Sequence, residues 1–400
     1  MAWSRATLAK TALWGAAAMA SAFYLGLLAE SAASSASVPP LRPLTPRRPL
    51  PGGHAPRTTP RVSVIVPARD EERNIEDCVA SLLAQDYDNF EVIVVDDGST
   101  DATPAILARL ARTPEGRRLL RVARVETLPP GWAGKPHALH TGALVASGEW
   151  LLFTDADTRH MPTALRSAVA RALSERADLF TIGTNQDLPG FWNRALMPIA
   201  YMGISAQYPP VLVNNPRIPL AIANGQFLLI RRAMYDRVGG YGTDELRATV
   251  VDDLALARVV KRAGGRLRFV DGRGLVSVRM YASLREHMNG WGKNAAIGSH
   301  GGRWLAPFFV LGLPLITVWP FVSLVVGLLR REPTMAASGA TATAAALAYR
   351  AWLDGQLGVP RRYGLTLPLG GAVFTYIIAR SYWRTLRGAT LPWRGRSYAA

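Results

Sequence analysis

The chain has 400 residues, 49% of them apolar, enough for one large or two modest hydrophobic cores, and this excludes disorder throughout. Its 46 Lys and Arg against 29 Asp and Glu leave a formal charge of +17, which suits nucleic acid, anionic lipid or an acidic small substrate. The basic residues crowd into Arg42 to Arg61 and Arg361 to Arg396, beside apolar stretches, so the excess reads as membrane-flanking charge and argues against nucleic acid. Cys78 is the single cysteine, which rules out an intrachain disulfide and a Cys-based metal site. Its place beside Ile75, Val79, Leu82 and Leu83 predicts a buried, inert thiol.

In chain order, the first element is the uncharged, Ala-rich stretch Thr11 to Ala29, close to the roughly 20 residues that cross a bilayer as a helix. The Ser/Ala-rich run after Glu30 resembles a cleavage region. Arg42, Arg47, Arg48, Arg57 and Arg61 downstream, against Arg5 and Lys10 upstream, favour instead an uncleaved anchor whose downstream side is cytoplasmic. Residues 1–37 are therefore an anchor or signal segment, and 38–60 a Pro-rich, basic, semi-extended linker.

From Arg61 onward apolar runs alternate with helical patterns, as an α/β sheet built from βαβ units requires. The predicted strands are Val62 to Val66, Phe90 to Val95, Leu120 to Val125, Trp150 to Thr154, Leu179 to Gly183, Phe227 to Ile230 and Leu267 to Val270. Helical patterns cover Glu72 to Ala84, Pro104 to Ala111, Pro162 to Ser174 and Leu254 to Ala263. This catalytic segment is assigned 61–294, followed by a membrane region at 295–383 and a basic tail at 384–400. Trp304 to Leu329 lacks charge and is long enough for a tilted membrane helix kinked at Pro307, Pro314 and Pro320. Thr334 to Leu353 and Leu365 to Ala379 are the other candidate transmembrane helices. A cytoplasmic domain and a cytoplasmic tail need an even number of crossings between them, so one of the three is expected to be interfacial or re-entrant.

Three strands end in acids. Val62 to Pro67 runs into Ala-Arg-Asp-Glu-Glu72, Val92 to Val95 into Asp96-Asp97-Gly98-Ser99-Thr100-Asp101, and Trp150 to Thr154 into Asp155-Ala156-Asp157. In open α/β sheets the carboxyl edge of the strands is where ligands bind. Asp101 also fits a helix N-cap. Asp155 and Asp157, one residue apart, offer oxygen ligands to a hard cation such as Mg²⁺ or Mn²⁺, with diphosphate oxygens completing the shell. Asp252 and Asp253 open a helical pattern, where they favour its positive end and where a carboxylate is also suited to take a proton from a hydroxyl.

With VSVIVPARDEE, VVDDGSTD, GKPHALHTGALVASGEWLLFTDAD, ANGQFLLIRRAMYDRVGGYG and VVDDLALARVVKRAGGR in this order, Arg61 to Asn294 resembles the family 2 glycosyltransferases, whose nucleotide-diphospho-sugar-binding fold is called GT-A. The resemblance implies a Rossmann-like mixed sheet, with Glu71 and one of Asp96 or Asp97 holding the nucleoside and Lys135 near the diphosphate. It implies that Asp155 touches the donor, that Asp157 is the principal ligand of a Mg or Mn ion, and that Asp253 is the base. Asp252 stands where members often carry Glu. Gly225, Gln226, Asp252 and Trp291 are expected on the acceptor side.

Processive relatives carry a Gln-x-x-Arg-Trp motif where this chain reads His287-Met-Asn-Gly-Trp291, which favours single transfer. Arg279 to Asn294 is amphipathic and expected at the membrane interface, and Phe191 to Val213 is unusually apolar for a connecting region. Members associated with carotenoid or hopanoid glycosylation are the most similar. The expected activity is therefore transfer from a UDP-sugar or GDP-sugar to a hydroxyl of a lipid-like acceptor. The reaction is expected to be inverting and metal-dependent, in a multi-pass cell-membrane protein whose catalytic domain faces the cytoplasm. The alternatives are a polyprenyl-phosphate sugar synthase and a non-catalytic membrane scaffold with a degenerate nucleotide site.

Overall fold

Seven runs of the sequence pair into one sheet, each satisfying its backbone through neighbouring strands; the inner runs are buried almost throughout, whereas Leu120–Arg124 at one edge is largely exposed. The computed structural model describes residues 5–44, 59–281, 283–297, 306–387, 391–393 and 396–398. Its contacts separate two units, one made of Ser35–Asp187 with Pro210–Met280, the other of Met1–Ser34, Leu188–Pro209 and Tyr281–Ala400.

The first unit holds, in chain order, β1 (Val62–Ala68), β2 (Phe90–Asp96), β3 (Leu120–Arg124), β4 (Trp150–Phe153), β5 (Thr158–His160), β6 (Leu179–Gly183), β7 (Asn185–Gln186), β8 (Leu228–Arg231), β9 (Leu267–Asp271) and β10 (Val276–Val278). The main sheet runs β3-β2-β1-β4-β8-β6-β9. All seven of its strands coincide with the seven predicted runs, to within a residue or two at their ends. β1 pairs in parallel with β2 and with β4, and β2 in parallel with β3, whereas β8 lies antiparallel between β4 and β6. The sheet is thus mixed. A second sheet, β5-β10-β7, comes from residues that carry no strand-length apolar run.

Helix Ile75–Leu83 buries Ile75, Cys78, Val79, Leu82 and Leu83 on one face, the 3.6-residue stripe visible in the sequence. Helix Gly134–Val145 lies against β1 so closely that a Cβ on Gly142 would stand 2.5 Å from Ile65 Cγ2. The start of the expected linker is tied down: Leu41 is buried, and its N–H donates to the Asp271 carbonyl at 2.7 Å. Residues 45–58 of that linker, with Arg47, Arg48 and Arg57, lie outside the described residues.

The second unit is helical apart from a short hairpin of Leu391–Trp393 and Arg396–Tyr398. Helix Arg5–Ser37 includes the Ser/Ala-rich run that resembles a cleavage region, and Trp14–Ser37 is long and apolar enough to cross a membrane. Ala306–Thr317 and Trp319–Leu329 replace the single kinked span expected from 304 to 329; 304 and 305 lie outside the described residues. Phe309–Thr317 and Trp319–Leu329 are bent by 50° and qualify as a crossing only if taken together as one broken span.

Among the described residues neither Pro333–Gln356 nor Leu367–Leu386 is long and apolar enough to count as a crossing, so the two downstream candidates are not shown to span. The first holds a fully buried ion pair, Arg350 Nε to Asp354 Oδ1 at 2.7 Å, and Arg350 Nη2 also donates to the Arg194 carbonyl at 2.9 Å. The second runs on into Arg380 and Arg384. Leu188–Pro209, placed inside the catalytic segment by sequence, clusters with these helices. Its apolar character has a partner there: a Cβ on Gly370 would lie 2.8 Å from the Ala195 carbonyl oxygen.

Candidate active site

The registers Ala68↔Asp96 and Ile65↔Phe153 align the carboxyl ends of β1, β2 and β4, so their three acid-bearing turns leave the same sheet edge. The first two are laced together. Asp70, at φ 51°, donates its N–H to Ser99 Oγ at 3.0 Å and accepts the Thr100 N–H on Oδ1 at 2.8 Å. Asp101 accepts from Glu72 N–H and Thr103 N–H at 3.0 and 2.9 Å, so its carboxylate is spent on structure, but Ala102, not Asp101, holds the N-cap position of helix Thr103–Leu110. Glu71, Asp96 and Asp97 are all buried at this junction. The Asp96 Oδ1 accepts the Ser99 N–H at 2.9 Å, and Glu71 Oε2 accepts from Asn74 Nδ2 at 3.1 Å.

The third turn is held from beneath by a polar network that the sequence reading did not find. Thr158 Oγ1 donates to the Asp155 carbonyl at 2.8 Å, and Thr154 Oγ1 donates to the Gln226 carbonyl at 2.7 Å. Both hydroxyl protons are then committed, so His160 Nε2, at 2.9 Å from Thr158 Oγ1 and 3.1 Å from Thr154 Oγ1, must be the donor to both. Burial pushes the His160 imidazole down to about 3, in keeping with a neutral ring fixed in that tautomer. The alternation Thr154, Thr158, His160 within FTDADTRH was the available signal. Cys78 packs under the same turn, its Sγ 3.6 Å from the Asp155 carbonyl, and burial raises its thiol to about 12, which fits the inert role expected.

Lys135 sits in the first turn of helix Gly134–Val145 and joins this turn to the acid pair that opens helix Asp252–Arg262. Its Nζ is 2.8 Å from Asp155 Oδ1 and 3.3 Å from Asp252 Oδ1. Burial opposes its charge, but Asp155, Asp252 and Asp253 together hold it above the ordinary lysine value. Asp252 is buried and also accepts from Tyr241 Oη at 3.4 Å. Burial drives its carboxyl up, Lys135 pulls it back, and Asp253 and Asp155 push it up again, leaving it at about 6.

The Asp253 Oδ2 accepts the Gly225 N–H at 2.8 Å and its Oδ1 the Leu254 N–H at 2.8 Å. A Cβ at 225 would lie 3.0 Å from Lys135 Nζ and 3.3 Å from Asp253 Oδ2, so a larger residue there would press on both side chains. Lys135, Asp155, Asp252, Asp253 and Gly225 are thereby brought together from three separate motifs.

Gln226 and Trp291, also expected on the acceptor side, each have packing partners of their own. Gln226 is buried, and its Oε1 accepts from Thr184 Oγ1, with Gln186 and Asn224 amides at 3.4 Å. Trp291 belongs to the helical unit, flanked by Tyr281 and Phe374 at ring distances of 6.4 and 5.8 Å. His287, in the same helix, is buried with Nε2 3.1 Å from Asn193 Oδ1.

No group of three His, Cys, Asp or Glu side chains among the described residues is arranged to hold a metal by itself. Asp155 and Asp157 are both partly exposed hard-oxygen donors, and an ammonium already stands at Asp155. Such a pair fits Mg²⁺ or Mn²⁺ when substrate phosphates and water supply the remaining ligands.

Residues 63–239 match the family described as Glycosyl transferase family 2. The chain carries a family 2 glycosyltransferase domain. The Asp252–Asp253 pair lies just beyond the matched region of this glycosyltransferase domain. Over 251 residues the chain is 26% identical to a 4,4'-diaponeurosporenoate glycosyltransferase of Staphylococcus haemolyticus, covering 60% of this chain and 63% of that one. Over 203 residues it is 30% identical to a beta-monoglucosyldiacylglycerol synthase of Nostoc sp., covering 49% of this chain and 40% of the relative. The chain therefore spans less than two thirds of the length of either relative. Mannosyltransferase PcManGT from Pyrobaculum calidifontis, solved with GDP-Man and Mn²⁺, superimposes with a TM-score of 0.54 at 22% identity, covering 93% of this chain and 99% of that one. At that identity the likeness shows a shared GT-A-like fold.

Proposed function

We propose that the protein transfers a sugar from a nucleoside diphosphate donor to a hydroxyl of a lipid-like acceptor in one inverting displacement. The observation that carries this is the junction at Lys135, where one ammonium bridges Asp155 of the third turn and Asp252, with Asp253 next in sequence. Asp253, anchored on Gly225 N–H and Leu254 N–H, takes the acceptor proton as the hydroxyl oxygen bonds to the anomeric carbon and the bond to diphosphate breaks. Glu71, Asp96 and Asp97 hold the nucleoside at the β1–β2 junction, and Asp155 and Lys135 face the diphosphate. The uncapped first turn of helix Gly134–Val145 adds backbone N–H groups favourable to an anion. A divalent cation held by Asp155, Asp157 and the donor would neutralise charge on the departing diphosphate.

A lipid-like acceptor is supported by what the two relatives are named for, a carotenoid acid and a diacylglycerol, and by the apolar helix Trp14–Ser37. Single transfer is supported by His287-Met-Asn-Gly-Trp291 in place of the processive motif. We place the sheet unit on the cytoplasmic side, where sugar nucleotides are made and where the basic run after the first helix is favoured. The test is to incubate membranes holding the protein with a panel of labelled UDP- and GDP-sugars and extract the lipids. A labelled glycolipid with inverted anomeric configuration is expected. Label only in free sugar or in polymer, with every donor, would refute the assignment.

A further inference from the structure

Resting on the cation site proposed above, we propose that Lys135 is an internal counter-cation that competes with the divalent ion for Asp155 when no donor is bound, making cation and nucleotide binding mutually dependent. Three observations point to it. Lys135 Nζ is 2.8 Å from Asp155 Oδ1, one of the two oxygens Asp155 can offer a cation, and 3.3 Å from Asp252 Oδ1, so the ammonium is shared between the third turn and the acid pair. It packs beside Gly225, where a Cβ would stand 3.0 Å from Nζ, so the glycine leaves the ammonium room at this junction. Finally, Asp155, Asp252 and Asp253 form an excess of negative charge for which Lys135 is the cation in contact.

A Mg²⁺ or Mn²⁺ ion ligated at about 2.0–2.2 Å by the oxygen that Lys135 holds would stand within roughly 5 Å of the ammonium. The two positive centres repel, so the nucleotide-free protein binds the ion weakly unless Lys135 leaves Asp155. An entering diphosphate supplies negative charge beside the first turn of the helix that carries Lys135. It gives the ammonium an alternative partner and releases Asp155 to the metal. By linkage, the metal then tightens the nucleotide by the same factor.

The experiment measures Mn²⁺ binding to the detergent-solubilised full chain from the electron paramagnetic resonance signal of free Mn²⁺, with no nucleotide and with saturating UDP or GDP. Lys135→Gln should bind Mn²⁺ at least tenfold tighter than wild type without nucleotide, and its gain on adding nucleotide should shrink. Lys135→Arg, which keeps the charge, should stay weak. Asp155→Asn in the Lys135→Gln background should cancel the improvement.

Lys135→Met provides a second neutral variant, and the rise in thermal unfolding temperature on adding Mn²⁺, larger in either neutral variant than in wild type, gives a readout independent of transfer. Mn²⁺ affinity that is unchanged or weaker in Lys135→Gln and Lys135→Met, while wild type binds Mn²⁺ with nucleotide, discards the competition and leaves the metal site standing. Failure of wild type and both neutral variants to bind Mn²⁺ even with saturating nucleotide removes the metal site and this inference together.

Discussion

Replacing Asp253 by Asn separates chemistry from folding. In the wild type Oδ2 accepts the Gly225 N–H and Oδ1 the Leu254 N–H, both at 2.8 Å. An amide offers one oxygen, so one of these N–H groups would face an NH₂, and losing a charge-assisted bond costs about 1.5–3 kcal/mol. Against this, the substitution removes one of the negative charges that press on Asp252, so repulsion in the cluster falls. The two effects oppose, and the net change in stability should stay below about 2 kcal/mol, a change of a few degrees or less in unfolding temperature for a domain of this size. Loss of a positioned base lowers turnover by roughly 10²- to 10⁴-fold, about 3–5 kcal/mol of barrier. The assay is transfer rate at saturating donor and acceptor, alongside donor affinity by calorimetry and thermal unfolding. A folded Asp253→Asn enzyme turning over within tenfold of wild type would refute the base assignment and point to a phosphate acceptor, which needs no base.

Asp157→Asn should instead weaken cation and donor binding together, seen as a raised metal requirement in titrations of transfer against Mn²⁺; an unchanged requirement discards Asp157 as a ligand. Asp252 has a folded value of about 6 against an ordinary 3.8, so protons are held longer in the folded state and stability declines as pH rises between those values. Wild type minus Asp252→Asn in urea unfolding should therefore lose up to about 3 kcal/mol from pH 4 to pH 6.5, and a flat difference would show that Asp252 is not strained by its surroundings. His160, depressed from 6.5 to about 3, has the opposite sign: its contribution is complete above pH 6.5 and is lost as pH falls toward 3. His160→Ala should cost about 2–4 kcal/mol by leaving Thr154 and Thr158 without their donor, measured by urea unfolding at pH 7; a loss under 0.5 kcal/mol would mean the network is dispensable. The full chain should remain in membranes through high salt and alkaline washing, whereas release by salt alone would assign its retention to basic surface patches.

Sequence alone determined the seven strands of the main sheet, because most are short apolar runs bounded by turn residues, a signal that does not depend on partners. It also determined which strand ends carry acids, since Pro67, Gly98 and the Asp-x-Asp turn interrupt the apolar runs. Strand order and direction were decided only by tertiary structure: β8 lies antiparallel between β4 and β6, and nothing local to Leu228–Arg231 states that. The small sheet of β5, β10 and β7 was invisible because strands of two or three residues are stabilised by register with their partners and have no period of their own.

The same division runs through the site. The acids at 71, 96, 97, 155, 157, 252 and 253 and Lys135 were legible as motif residues. That Lys135 bridges Asp155 to Asp252, that Gly225 holds Asp253, and that Gln226 is spent on a buried network could not be read from any motif. Those contacts join positions up to more than a hundred residues apart, and burial sets both the partner and the charge state there. Likewise Arg350 and Asp354, two charges in a largely apolar helix, are accommodated by pairing inside the helical unit. An average over a sequence window registers two charges; only packing shows that each neutralises the other.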